Sequence, residues 1–148
     1  MKKNNISIAL ASDHAGFQLK SMIKKMLEKN GIELEDFGTH SEESVDYPDF
    51  VHPLSHAVAL GKHTFGIIMC GSGNGVGMTA NKHHGIRAAL CWQPEIARLA
   101  RAHNDANVLA FPARYIDEES ALEAVLLFLN TAFEGGRHVE RVNKIPLQ

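Results

Sequence analysis

Two stretches of this chain place reactive side chains beside glycines. The first is Cys70-Gly71-Ser72-Gly73-Asn74-Gly75-Val76-Gly77, a thiol and a hydroxyl set into a glycine run. Without a Cβ in the way, backbone N–H groups there can close on an anion or a developing oxyanion. A thiol ordinarily has a pKa of about 8.5, and a helix N-terminus or nearby cations lower it, so a cysteine at such a loop is a candidate base or nucleophile. The second is Ser12-Asp13-His14-Ala15-Gly16, with a carboxylate next to an imidazole. Further along, His103-Asn104-Asp105 brings another imidazole, a group whose unperturbed pKa of about 6.5 suits proton transfer. Arg114, Arg137 and Arg141 add forked cations of the kind that hold a phosphate, Arg137 and Arg141 facing one way if that segment is helical.

Each feature also has a plainer reading. A buried cysteine is often an inert core residue, which is how Cys91, inside an apolar strand, is read. His103-Asn104-Asp105 doubles as a helix C-terminus signal, and Arg137 with Arg141 as a solvated basic face. The glycine run is not a dinucleotide fingerprint, because the third required glycine falls on Val76 and no acidic residue closes the next strand. Nor is it a Walker loop, since no Gly-Lys-Ser/Thr follows. His52 and His56 have the i, i+4 spacing of metal ligands, but Pro53 lies between them and no third ligand stands out, so they read as surface histidines and no metal is expected.

The elements that must position these groups follow from periodicity. Residues 6–11 read as a first strand, 17–29 as an amphipathic helix stopped by Asn30-Gly31, and 32–37 as an alternating edge strand. A helix over 49–60 leads to a buried strand at 65–70, whose carboxyl end carries Cys70. The glycines at 71–77 break regular structure, and a short helix resumes over 78–82. A strand at 87–91, a helix from Pro94 to His103, a strand at 107–111 and an amphipathic helix over 118–133 complete the pattern. Five strands alternating with helices predict an α/β domain, three-layered α/β/α and Rossmann-like, with a five-stranded parallel sheet. The loops after strands one, three, four and five are expected to share one sheet edge, bringing together Asp13, His14, Cys70, Ser72, His103 and Asn104.

Length and charge bound the rest. The 148 residues suit one domain over 1–148, and a net charge of −2 gives no field for nucleic acid or an anionic membrane, leaving a small molecule as the expected ligand. Two cysteines outside any CxxC pair fit a reducing, cytoplasmic setting. Residues 1–5 and the short apolar run behind them are too short for a signal peptide or a membrane span.

Taken together, Ser12-Asp13-His14-Ala15-Gly16-Phe17, Asp46-Tyr47-Pro48, Cys70-Gly71-Ser72-Gly73-Asn74-Gly75, Ala80-Asn81-Lys82, Gly85-Ile86-Arg87-Ala88, His103-Asn104-Asp105-Ala106-Asn107-Val108-Leu109 and Glu134-Gly135-Gly136-Arg137-His138 resemble the type B ribose-5-phosphate isomerases almost end to end. That family sits with the galactose-6-phosphate and allose-6-phosphate isomerases. The resemblance implies an aldose–ketose isomerase working through an enediolate, without metal or cofactor, as a homodimer or dimer of dimers. It puts the catalytic base on Cys70, ring opening on His103, and substrate contacts on Asp13, His14, Gly71, Ser72, Gly73, Asn74, Gly75, Asn104, Arg114, Arg137 and Arg141. Some relatives carry a glutamate just after the glycine loop in place of the thiol; here that position is Val76. Ser72, threonine in some members, keeps a hydroxyl for the oxyanion. Family sites form at the dimer interface, so Cys70 of one chain is expected to work with His103 of another. Alternatives are a six-carbon isomerase or a non-catalytic sugar-phosphate sensor.

Overall fold

The computed structural model describes residues 5–147; residues 1–4, part of the N-terminal segment considered above for targeting, lie outside the described residues. Five strands, β1 (Ser7–Ser12), β2 (Glu33–Asp36), β3 (Phe65–Cys70), β4 (Ala88–Leu90) and β5 (Val108–Pro112), form a parallel sheet in the order β2-β1-β3-β5-β4. β2 is an edge strand, as its alternating sequence requires, and β3 is central. β1, β3 and β5 are apolar on both faces because both faces are covered. Ile8, Leu10, Ile67, Met69, Leu109 and Phe111 face one layer, built from α1 (Phe17–Lys29), α4 (Pro94–Asn104) and α5 (Glu118–Asn130). Ala9, Ala11, Ile68, Cys70, Val108 and Ala110 face the other, built from α2 (Pro48–Ala59) and α3 (Asn74–Ala80). The expected three-layer α/β/α arrangement is therefore present. No helix among the described residues is long and apolar enough to cross a membrane.

Boundaries differ from the sequence expectation in the glycine run and in the tail. The glycine run does not exclude helix: α3 starts at Asn74 and contains Gly75 and Gly77, with Gly73 at φ +75° as its N-cap. Glycine breaks an isolated helix through its entropic cost, but here it lets the helix lie close to Tyr47 and the sheet. α5 stops at Asn130, where Asn130 and Thr131 turn their side chains onto the carbonyls of Leu126 and Leu127, and a sixth helix, α6 (His138–Asn143), follows.

One buried charge fixes the β2 exit beside the end of β1. Lys20 is 1% exposed, and its Nζ donates to Asp36 Oδ1 and to the Thr39 carbonyl, both at 2.5 Å. Asp36 also accepts from Gly38 N, while Ser12 exchanges backbone hydrogen bonds with Gly38 and Thr39, one residue before Asp13. Burial works to raise the Asp36 carboxyl, yet the hydrogen bonds from Lys20 and Gly38 hold it below its ordinary value. Lys20→Met leaves that carboxylate short of its main partner. Urea unfolding is expected to show a loss of about 3 kcal/mol, and a loss below about 1 kcal/mol would contradict the role given to this pair.

Candidate active site

Cys70 is the last residue of β3 and is 4% exposed. Its side chain belongs to the α2/α3 layer of the core. The carbonyls of Cys70 and Gly71 accept from the amides of Ala113 and Arg114, so the exits of β3 and β5 run on together past the sheet. This brings the Arg114 side chain over the loop: a methyl group at Gly71 would sit 3.2 Å from Nη1. Ser72 Oγ accepts from Asn74 N at 3.3 Å, leaving the hydroxyl proton free to donate outward. Asp13 lies at the end of β1, where Oδ1 accepts from the amides of Ala15 and Gly16 at 2.9 and 3.1 Å and fixes the entry to α1. Asp13, Cys70, Gly71, Ser72, Gly75 and Arg114 line one cavity of about 350 Å³, together with Tyr47 and Tyr115. It is polar, cationic on one wall and has a nearly buried thiol at its base.

The other expected residues lie elsewhere. His14 is turned to the loop before α2, Nδ1 accepting from Val45 N at 3.2 Å. Gly73 and Asn74 line a neighbouring groove of about 400 Å³ with Met78, Lys82 and Leu90. His103 and Asn104 are not at the Cys70 edge at all, contrary to the expectation that one sheet edge gathers them. They end α4, and in a parallel βαβ unit a helix following a strand returns to the opposite edge before the next strand begins. Gly66 N donates to Asn107 O, which places the start of β5 beside the start of β3; Cys70 is four residues further up, roughly 13 Å away along the strand. His103, four residues before Asn107, is thus a sheet's height from Cys70 of the same chain.

A second cluster forms around His103 at that far edge. Glu134 N donates to Ala102 O at 2.9 Å, tying the α5–α6 connection to the last turn of α4. The rings of His103 and His138 stack with centroids 4.3 Å apart and planes 14° from parallel. Glu134 Oε2 lies 3.8 Å from His103 Nε2 and 3.6 Å from His138 Nε2. Burial, then the charges of His103 and Arg137, hold the His138 imidazole below its ordinary pKa. Arg137 is the N-cap of α6 and Arg141 lies in its last turn, so these arginines belong with His103, and Arg114 belongs with Cys70. The three arginines therefore do not converge within one chain.

Tyr47, Tyr115, Glu134 and His138 were not among the expected site residues. Tyr47 is the N-cap of α2 and its ring packs where a Gly75 side chain would stand; Tyr115 is 77% exposed at the cavity mouth. Tyr47, Glu134 and His138 lie in motifs already visible in the sequence, and only the fold reveals what they touch. Among the histidines, His52 Nδ1 lies 2.7 Å from His83 Nε2, a pairing invisible to local spacing. Cys91 is fully buried and its thiol is pushed up to about 12, in keeping with its reading as core.

A strand-end thiol, a glycine loop and an arginine on a parallel α/β/α sheet define the class, and comparison with known proteins supplies the family. Residues 8–145 match the family model described as Ribose/Galactose Isomerase. Ribose-5-phosphate isomerase B of Escherichia coli is 46% identical over 138 residues, 93% of each chain. The crystal structure of a ribose 5-phosphate isomerase from Thermotoga maritima superposes with a TM-score of 0.94 at 51% identity, covering 96% of this chain and 98% of that one. D-erythrulose-4-phosphate isomerase of Pectobacterium atrosepticum is 40% identical, over 95% of this chain and 93% of its own. The chain belongs to the ribose/galactose isomerase family and is an isomerase.

The seating of the glycine loop against β5 depends on Gly73. At φ +75° an alanine is strained, and its methyl would lie 2.9 Å from the Phe111 backbone, which cannot move aside without disturbing β5. Gly73→Ala is expected to cost about 1–3 kcal/mol of stability, read by thermal or urea unfolding, with α3 displaced from the sheet. An alanine variant of unchanged stability would contradict this packing.

Proposed function

We propose that the chain, acting as one catalytic domain over residues 1–148, interconverts ribose 5-phosphate and ribulose 5-phosphate without metal or cofactor. The observation that carries this reading is the nearly buried Cys70 thiol at the head of a glycine loop with the Arg114 side chain across it. The names of the relatives support the substrate. The separation of His103 from Cys70 supports a site shared between two copies, since a two-fold dimer that apposes the Cys70 edge of one chain to the His103 edge of another completes two sites at once.

In this mechanism the sugar enters as a ring. His103 of a second copy relays the proton of the anomeric hydroxyl to the ring oxygen, the bond from C1 to the ring oxygen breaks, and C1 becomes an aldehyde. The Cys70 thiolate takes the proton from C2. The released electron pair forms the C1–C2 double bond, and the carbonyl oxygen at C1 becomes an enediolate oxyanion. Loop amides and the Ser72 hydroxyl hold that charge, a donor of this kind being worth about 3 kcal/mol in other enzymes. Cys70 then returns its proton to C1 while the hydroxyl proton passes from O2 to O1, and the ketose is complete. Asp13, His14, the loop from Gly71 to Gly75 and, from the second copy, Asn104 hold the sugar hydroxyls. Arg114 with Arg137 and Arg141 of the second copy hold the phosphate, so that remote binding energy positions C2 against sulfur.

Cys70→Ser keeps the size of the side chain and removes the base. It is expected to lower kcat for ribose 5-phosphate by about a hundredfold or more while the sugar still binds. Near-wild-type turnover would remove Cys70 from the role, and absence of turnover in the unmodified protein would leave a binding protein only. Four- and six-carbon phosphates assayed alongside test the five-carbon preference. Arg137→Ala is expected to raise KM for ribose 5-phosphate about tenfold or more with little effect on unphosphorylated ribose. Equal losses for both sugars would contradict a phosphate anchor.

A further inference from the structure

The cluster at the far sheet edge has a second chemistry that isomerisation does not use. His103 closes α4, Glu134 sits in the α5–α6 connection and His138 opens α6, and one ligand atom from each lies within 4.8 Å of the other two. Two imidazoles and a carboxylate are a familiar zinc donor set, with the fourth position left to water. With bonds of about 2.0–2.1 Å, tetrahedral ligands stand roughly 3.4 Å apart. The Glu134 oxygen is 3.8 and 3.6 Å from the two Nε2 atoms, so shifts of a few tenths of an ångström bring these distances to that value. The Glu134 N to Ala102 O and His138 N to Gly135 O bonds fix the backbone around the cluster.

Two features oppose an ion and set its strength. The imidazole planes are nearly parallel, whereas a shared metal must lie close to both planes, so one ring has to turn. His103, with a side chain 36% exposed, has the room, and His138, at 11%, is the fixed partner. Arg137 and Arg141 flank the cluster, and their charge weakens any cation held there. The result is a reversible site rather than a permanent structural one.

We propose that His103, Glu134 and His138 bind a divalent transition-metal ion, zinc above all, and that the bound ion inhibits isomerisation by occupying the Nε2 atom of His103. Inhibition rests on the function proposed above; binding does not. A hard ion such as magnesium, which prefers oxygen ligands, is excluded by the imidazoles.

The test has a binding arm and a rate arm. Chelator-treated full-length protein is titrated with zinc chloride by calorimetry, next to Glu134→Ala, His52→Gln and Cys70→Ser. One zinc per chain, affinity reduced about tenfold or more by Glu134→Ala, and no change from the other two substitutions is the expected pattern. Absence of zinc binding, or binding that survives Glu134→Ala, overturns the site; loss confined to His52→Gln would assign the zinc to the His52–His83 pair, and loss confined to Cys70→Ser to the thiol. In the rate arm, zinc at the concentration that fills the site is expected to stop turnover of ribose 5-phosphate, with EDTA restoring it and magnesium inert. A zinc-filled site with full turnover overturns the inhibitory role. If the binding pattern holds and the protein turns over no sugar phosphate even without zinc, the metal site stands and the isomerase assignment fails.

Discussion

A parallel sheet is directional, and that direction governs where chemistry can be placed on this chain. Every strand delivers its carboxyl end to one edge, and every crossover helix returns the chain to the other. Cys70 leaves β3 at the first edge and His103 ends α4 at the second, so no loop rearrangement within one chain brings them together without breaking the sheet. A fold whose core is buried on both faces does not bend to that extent. In the mechanism proposed above each chain carries two half-sites facing opposite ways, and two-fold pairing is the smallest arrangement that completes both.

The halves differ in physical character. Around Cys70 the thiol is nearly buried and its backbone fixed: the Ala113 and Arg114 amides bind the Cys70 and Gly71 carbonyls, and Tyr47 fills the space left by Gly75. Around His103 the groups are more exposed, and order comes from ring stacking on His138 and the Glu134 tie to α4. In the proposed mechanism, a nearly buried base facing a more open proton-transfer group suits a reaction in which the sugar must first be unlocked and then held still. The same openness lets the imidazole cluster exchange protons or ions.

Much of the fold was legible in the sequence because periodicity reports burial directly. The double-sided apolar run at 65–70 marked an inner strand and the alternation at 32–37 an edge, while 17–29 kept a helical stripe. Strand order depends on which faces pair across the chain, and local pattern does not carry it. α3 starts earlier than helix propensity predicts, because at Gly75 close packing against Tyr47 decides. The site was half legible. Asp13, Cys70, Gly71, Ser72, Gly75 and Arg114 do meet, since all lie at or after strand ends, whereas Gly73 and Asn74 turn into the neighbouring groove. His103 and Asn104 were placed at the wrong edge because they precede β5 rather than follow β4, and one helix length separates those positions. Glu134 and His138 came into view only through three-dimensional contact with His103.

The shared site is tested most directly by complementation. Cys70→Ala and His103→Ala chains, each inactive alone, are unfolded and refolded together, and exchange is verified by mass. Random pairing makes half of the dimers mixed, and each mixed dimer holds one site with both native residues and one with neither. Activity is expected to return to about a quarter of the wild-type value. Dimers shown to have exchanged that remain inactive would contradict a site built from Cys70 of one chain and His103 of the other.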